Sequence, residues 1–220
     1  MSNLTIIYDF LLTTVLGIGF LRYKKLTVPF KILTLSVIAT LLLAILNQIS
    51  INRYKHNYPI LHLECITGYI FYSLTYYYLF KDKKIKKLIL ISIAIVTVFF
   101  FINALFLQPF NKVFPSNLYL PTQALYAFFS LLLFREMLQY PLKINIIKQS
   151  SFWFNIAILF YATTMFFMMG LSNYLGEHKH SPNFISFALY LWYFILYAFH
   201  VLIGVSLLTN NKEITTTDAW

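Results

Sequence analysis

Long hydrophobic segments alternate with short polar connections along the whole chain. Seven of these segments are long and apolar enough to cross a bilayer as helices, which takes about 20 residues each. Because only helices and closed barrels satisfy their backbone groups in lipid, the pattern predicts an all-α, seven-helix transmembrane bundle in one domain. We place the helices near residues 4–21, 32–50, 60–80, 88–107, 119–139, 152–175 and 184–208.

The last predicted helix carries a stripe of polar or small residues at alternating steps of four and three, which is one helix face. A polar face on a membrane helix normally turns into the bundle. We therefore expect Ser186 and Tyr190 to line a pocket, and Tyr193, Tyr197 and His200 to form a buried polar spine. His200 is expected to be a structural hydrogen-bonding residue.

Composition and charge narrow the class of protein. The chain is 60% hydrophobic and 11% charged, which excludes an ordinary soluble domain. The net charge of +10 does not indicate nucleic-acid binding, because the basic residues lie in clusters between apolar segments. Thirteen Lys and Arg residues fall on one side of the predicted bundle and four on the other. The positive-inside rule then predicts an external N-terminus and a cytoplasmic C-terminus.

Polar residues within the helices concentrate in the outer half of this topology. Asp9 and Glu64 are the most informative, because acids inside a membrane are costly and mark functional sites. We expect an outward-facing polar pocket, although polar residues at helix ends could instead simply meet headgroups and water. The candidate lining residues are Asp9, Asn47, His62, Glu64, Asn103, Gln123, Tyr126, Ser186 and Tyr190.

No arrangement of residues indicates a catalyst, a cofactor or a metal site. His62 and Glu64 are two residues apart, so they point to different helix faces. The segment from Glu177 to His180 contains metal donors, but a lysine interrupts them. We therefore expect a non-enzyme; a membrane enzyme or lipid-binding protein remains an alternative, and it requires Asp9, His62 and Glu64 to converge within about 4–6 Å.

Several residues are expected at the membrane surfaces. Tyr76 and Tyr119 fit the aromatic belts that line both interfaces of membrane proteins. Arg135 and Glu136 are an acid–base neighbour pair expected on the cytoplasmic side, and are candidates for contact with a partner.

The last third of the chain resembles an uncharacterised family of small bacterial seven-helix membrane proteins. The resemblance rests on Ser151-Phe-Trp-Phe-Asn155, on Phe160-Tyr161, on Gly170-Leu-Ser-Asn-Tyr-Leu175, and on a last helix with Trp192, His200 and an exit at Asn210 to Lys212. That family is similar to the seven-helix input regions of sensor histidine kinases. The resemblance implies a bacterial inner-membrane location and a sensory role.

The pattern and the resemblance together favour a sensor or receptor-like subunit embedded in the lipid bilayer. It would bind a small or lipophilic ligand in the outward pocket and signal to a separate protein, such as a histidine kinase. A transporter or scaffold subunit is a further alternative, although a transporter should show repeat symmetry or a broken helix near the midplane.

Overall fold

The computed structural model describes residues 3–140, 145–177 and 182–210, with side chains apart from those of 170–177 and 182–185. Lys143, Lys179 and Lys212, which are among the basic residues counted above, and Asn211 from the resemblance lie outside this part. Seven long helices fill the described residues, as the all-α prediction requires: α1 (Asn3–Arg22), α2 (Val28–Tyr54), α3 (Tyr58–Leu79), α4 (Lys83–Ile102), α5 (Ser116–Gln139), α6 (Ser150–Glu177) and α7 (Pro182–Thr209). A π-helical turn (Asn103–Leu107) continues α4, and a 3-10 turn (Ile146–Lys148) precedes α6.

Local sequence signals set several helix ends. Pro29 and Pro59 lie in the first turns of α2 and α3, where a missing N–H leaves no hydrogen bond unmade. The Asp82 carboxylate begins α4 by accepting a hydrogen bond of 2.7 Å from the backbone N–H of Lys84. At the end of α2, Lys55 adopts the left-handed conformation with φ of 62°, which stops the helix.

The helices pack as a bundle in which the first and last close on each other. Each helix contacts the one that follows it in the chain, and α7 packs against α1. In addition the backbone of α3 lies near that of α5, and the side chains of Tyr76 and Tyr72 reach α6 and α7. Short connections reverse the chain direction between successive helices.

Six helices are long and apolar enough to cross a membrane, namely α1, α2, α4 with its π-helical turn, α5, α6 and α7. The seventh, α3, is less apolar than its hydrophobic segment led us to expect. Its buried residues explain the difference, since they include His62, Ser73, Thr75 and three tyrosines. A helix that packs against protein on several sides can carry such polar groups, whereas a lipid-facing helix cannot.

The two ends of the bundle differ in composition. We use "N-terminal end" for the end where α1 begins and the connections 55–57 and 108–115 lie. We use "lysine-rich end" for the opposite end, with the connections 23–27 and 80–82 and the described residues 140 and 145–149.

Candidate functional site

The N-terminal half of the bundle contains two adjoining cavities. The outer cavity has a volume of about 380 Å³, and Asn57 and Phe114 from the connections at the N-terminal end are part of its wall. The inner cavity is much smaller, about 40 Å³, which is enough for water but not for a drug-sized molecule. Five residues belong to the walls of both cavities: Tyr8, Glu64, Tyr119, Tyr161 and Leu196.

Glu64 is the charged residue at the junction of the two cavities. It lies near the start of α3 and forms part of both cavity walls. Its carboxyl group has neither a hydrogen bond nor an ion pair with any residue that the structure describes. Because an acid inside a membrane protein normally has a partner, an unpaired carboxyl that faces a cavity is a candidate ligand contact.

Four tyrosines of the cavity walls likewise have hydroxyls without a partner among the described residues. Tyr8 on α1, Tyr119 and Tyr126 on α5, and Tyr161 on α6 line one or both cavities. Their hydroxyls form no hydrogen bond within the described residues. A buried tyrosine usually finds a partner for its hydroxyl, so the four groups leave considerable hydrogen-bonding capacity in the cavity walls.

Two amide side chains add unpaired acceptors. Gln123 is 2% exposed, lines the inner cavity, and its Oε1 atom has no hydrogen-bond partner. Asn47 lines the outer cavity, and its Oδ1 atom is likewise buried and unpartnered within the part of the chain that the structure describes. Buried polar atoms are nearly always satisfied, by protein or by ordered water, so these acceptors indicate space for a hydrogen-bond donor.

The predicted polar spine on α7 divides into two parts. The Tyr193 hydroxyl lies 3.0 Å from Thr5 Oγ1, and the Tyr197 hydroxyl donates to the Leu4 carbonyl at 2.7 Å, so both bond to the start of α1. Helical side chains lean towards the N-terminus of their helix, which carries these two hydroxyls to that end. His200 lies deeper, and its Nδ1 atom is 2.9 Å from the Leu196 carbonyl of its own helix.

Five of the nine predicted pocket residues line one or both cavities: Asp9, Asn47, Glu64, Gln123 and Tyr126.

Four of the predicted residues lie elsewhere. Tyr190 is 60% exposed and Ser186 is also exposed, so the start of the α7 stripe faces away from the cavities. Asn103 is buried in the α4–α5 connection, where its Nδ2 atom donates to Gln108 at 3.2 Å. His62 packs on Phe110, and its Nε2 atom lies 3.1 Å from the Val113 carbonyl.

The position of His62 also concerns the alternative that the protein is a membrane enzyme. The enzyme alternative required Asp9, His62 and Glu64 to converge, and only Asp9 and Glu64 share a cavity wall. The loop from Glu177 to His180 lies outside the described side chains.

Sequence reasoning identified Tyr126 but missed several other tyrosines of the cavities. Tyr8, Tyr119 and Tyr161 line them, yet hydrophobic segments rich in tyrosine do not distinguish an interfacial tyrosine from a buried one. Spacing was the available signal, because Tyr119, Gln123 and Tyr126 follow one another at steps of four and three on α5.

The lysine-rich half contains a second polar group, which is fully paired. The Tyr76 hydroxyl donates to Asn155 Oδ1 at 2.9 Å and lies 2.6 Å from Ser130 Oγ. Asn155 Nδ2 donates in turn to the Ser130 carbonyl at 2.9 Å. All three residues are inaccessible to solvent, so this Tyr76 cluster joins α3, α5 and α6. Tyr76 is thus not in an interfacial belt.

Asn210 joins three elements beyond the end of α7. Its Oδ1 atom accepts from the Thr27 backbone N–H and its Nδ2 atom donates to Ser150 Oγ, both at 2.9 Å. Arg22 donates to its carbonyl at 2.9 Å. This contact fixes the α1–α2 connection and the start of α6 to the same point.

Arg135 and Glu136 lie in a surface groove at the lysine-rich end. The groove has a volume of about 390 Å³ and also includes Lys81 and Asp82. Glu136 Oε1 accepts a 2.8 Å hydrogen bond from the backbone N–H of Lys81. Arg135 is exposed.

These features define a helical multi-pass membrane protein with a polar, aromatic cavity in one half of the bundle. No protein-family model, no curated protein and no solved structure matches this chain.

Proposed function

We propose that this chain is a seven-helix membrane sensor or receptor-like subunit that binds a small ligand in the cavity of its N-terminal half. The single observation that supports this most strongly is the Glu64 carboxyl, which has no partner among the described residues and faces a cavity of about 380 Å³. Pockets of roughly 300–1,000 Å³ with a few convergent polar groups are typical of small-molecule sites.

The charge distribution supports an orientation for the site. Eleven of the thirteen basic residues counted on the predicted cytoplasmic side are described, and they lie at the lysine-rich end, which the positive-inside rule therefore predicts to be cytoplasmic. The cavity then opens outward, with α3 as the seventh span, shielded from lipid by its neighbours. The resemblance of the last third to a bacterial seven-helix family agrees with an inner-membrane location.

Two helices connect the cavity to the lysine-rich end. Glu64 and Tyr76 are twelve residues apart on α3, about 18 Å along the helix axis. On α5, Gln123 and Tyr126 line the inner cavity, Ser130 belongs to the Tyr76 cluster, and Glu136 bonds to the α3–α4 connection. A ligand that favours one packing of α3 and α5 would therefore also alter the groove that contains Arg135 and Glu136.

This groove is the proposed contact for a separate signalling protein, such as a histidine kinase. A ligand can shift the two packings only by the difference between its affinities for them. Groups that are unpaired in the free protein give such a difference, because they gain partners only in the packing that closes on the ligand.

The test is to block the cavity and look for the loss of a co-purifying molecule. Ala44 lines the outer cavity, whereas Ala94 is exposed on α4, so Ala44→Trp and Ala94→Trp are a matched pair. The full chain would be purified in lipid nanodiscs, extracted with solvent and analysed by mass spectrometry, with thermal unfolding as the check on folding.

We expect one class of small molecule in the wild type and in Ala94→Trp, but not in a folded Ala44→Trp protein. Hydrogen exchange of the backbone from Arg135 to Gln139 should also rise or fall when this molecule is added back. Equal recovery from both variants, or unchanged exchange, would contradict the receptor proposal.

A further inference from the structure

The charge of the cavity differs in sign from that of the rest of the chain. Asp9 and Glu64, two of the seven acidic residues, line the outer cavity. None of the 17 Lys and Arg residues is among the described residues that form either cavity wall. In a chain with a net charge of +10, an all-acidic cavity selects against anions and favours a cation.

The aromatic residues of the wall favour a cation as well. Tyr8, Tyr119, Tyr161, Trp192 and Tyr193 all contribute to the outer cavity. Tryptophan and tyrosine rings attract a cation held over their faces, and the attraction is strongest where water is excluded.

The unpaired atoms indicate which kind of cation would bind. Among the described residues, the acceptors Gln123 Oε1 and Asn47 Oδ1 have no hydrogen-bond partner, and the Glu64 carboxyl has none either. A metal ion would not use the aromatic and apolar parts of the wall, which include Leu61 and Leu196. An organic cation with N–H donors uses all of them.

We infer that the cavity binds a protonated amine with an apolar body, with its ammonium group at Glu64. This inference rests on the proposed ligand-binding function and names the chemical class of the ligand. Asp9 adds a second negative charge to the outer cavity, and the aromatic and leucine side chains enclose the apolar body.

Three probes of similar size and different charge test this inference. They are 2-phenylethylamine, which is a cation at neutral pH, the neutral 2-phenylethanol, and the anion phenylacetate. Their binding to the full chain in nanodiscs would be measured by titration calorimetry. We expect the amine to bind at least about tenfold more tightly than the alcohol, and the anion not to bind.

Two variants test whether the charge of Glu64 is responsible for amine binding. Glu64→Gln keeps the shape of the side chain and should weaken amine binding by about 10- to 100-fold, because hydrogen bonds to charged groups are the stronger ones. Alcohol binding should change little. The control is Lys24→Gln, which also removes one charge, at an exposed position of the α1–α2 connection outside both cavities and the groove.

The possible failures are distinguishable. If the alcohol or the anion binds as tightly as the amine, or if Glu64→Gln binds the amine normally, the cation inference is overturned while a ligand cavity stands. If none of the three probes binds, the inference is also overturned. The Ala44→Trp comparison then decides separately whether the cavity holds a ligand at all.

Discussion

Helix α3 meets two different polar environments along its length. Near its start, Glu64 faces a cavity and has no partner among the described residues. Three turns further on, the hydroxyl of Tyr76 is fully buried and bonds to both Ser130 and Asn155. The same helix therefore contributes an unsatisfied polar site at one level and a satisfied one at another.

The difference separates polar groups that hold the fold together from those available to a ligand. A buried polar network is favourable when every member is paired, and an unpaired member is costly in a low-dielectric interior. The Tyr76 cluster fits the first case and stabilises the contact of α3 with α5 and α6. The groups around Glu64 fit the second, so their presence is better explained by binding than by stability.

Two glycines differ in how closely their surroundings are packed. Substitution of the more tightly packed one gives the largest expected effect on stability. A Cβ atom on Gly19 would lie 2.7 Å from Thr34 Cγ2, whereas a Cβ atom on Gly68 would lie 3.6 Å from its nearest neighbour, Tyr72 Cε2. The Thr34 hydroxyl donates to the Phe30 carbonyl at 2.9 Å, which restrains that side chain. We expect Gly19→Ala to destabilise the protein by about 1–3 kcal/mol through overpacking between α1 and α2.

Gly68→Ala is the matched control on the cavity side. It should be tolerated, or should stabilise the protein by up to about 1 kcal/mol, because alanine favours helix more than glycine does. Both variants would be measured by reversible unfolding in mixed micelles. Equal destabilisation by the two substitutions would show that the half around Gly68 is as tightly packed as the contact at Gly19.

Deletion of single hydroxyls gives the next largest effect. Tyr76→Phe removes the group shared by Ser130 and Asn155, and should cost about 1–2 kcal/mol, within the range measured for hydrogen bonds inside membrane proteins. Tyr126→Phe removes a hydroxyl without a partner among the described residues, and should change stability by less than about 0.5 kcal/mol. The same unfolding measurement compares them.

A similar loss of stability in Tyr76→Phe and Tyr126→Phe would contradict the proposed difference between the two halves of the bundle. It would mean that the Tyr126 hydroxyl has a partner, such as a bound water. A Ser130→Ala variant gives a further check, because it leaves the bond from Tyr76 to Asn155 in place and should cost less than Tyr76→Phe.

We expect substitution of Glu64 to change the stability by a smaller amount, and to stabilise the protein where Gly19→Ala and Tyr76→Phe destabilise it. Glu64→Leu replaces an unpaired carboxyl with an apolar side chain of similar size, so we expect a gain of about 0.5–1 kcal/mol in stability together with loss of ligand binding. Such a trade between stability and function is common at binding sites. The thermal midpoint of the ligand-free protein measures the gain. A drop of more than about 1 kcal/mol would reveal a structural role for the carboxyl.

The all-α fold could be predicted from hydrophobic segment length alone, because lipid leaves the backbone few alternatives. Segment length did not show that α3 is less apolar than the other helices, since its polar residues face other helices. The α7 stripe is buried at His200 but exposed at Tyr190, because the neighbours that cover a helix face are far away in sequence and its periodicity does not show them.

The site was harder to predict than the fold. Asp9, Glu64 and Gln123 stood out because acids and amides are rare inside membranes, and the structure brings all three to the two cavities. Tyrosines carry no such signal, so Tyr8, Tyr119 and Tyr161 were missed. Whether a given tyrosine hydroxyl is paired, as in Tyr76, or has no partner among the described residues, as in Tyr126, depends on neighbours far away in sequence.

The smallest expected effect concerns His200, which lines the inner cavity between the two environments. The spine hypothesis implied that His200→Phe would weaken folding. The structure reduces that expectation, because the Nδ1 atom of His200 bonds only to a carbonyl of its own helix, and phenylalanine keeps the edge contact with Tyr8 at a centroid distance of 5.3 Å. We expect a stability change below about 0.5 kcal/mol in the unfolding assay. A larger loss, above that of Tyr76→Phe, would mean that the other ring nitrogen holds a bridge across the inner cavity, and the N-terminal half would then have a structural polar network of its own.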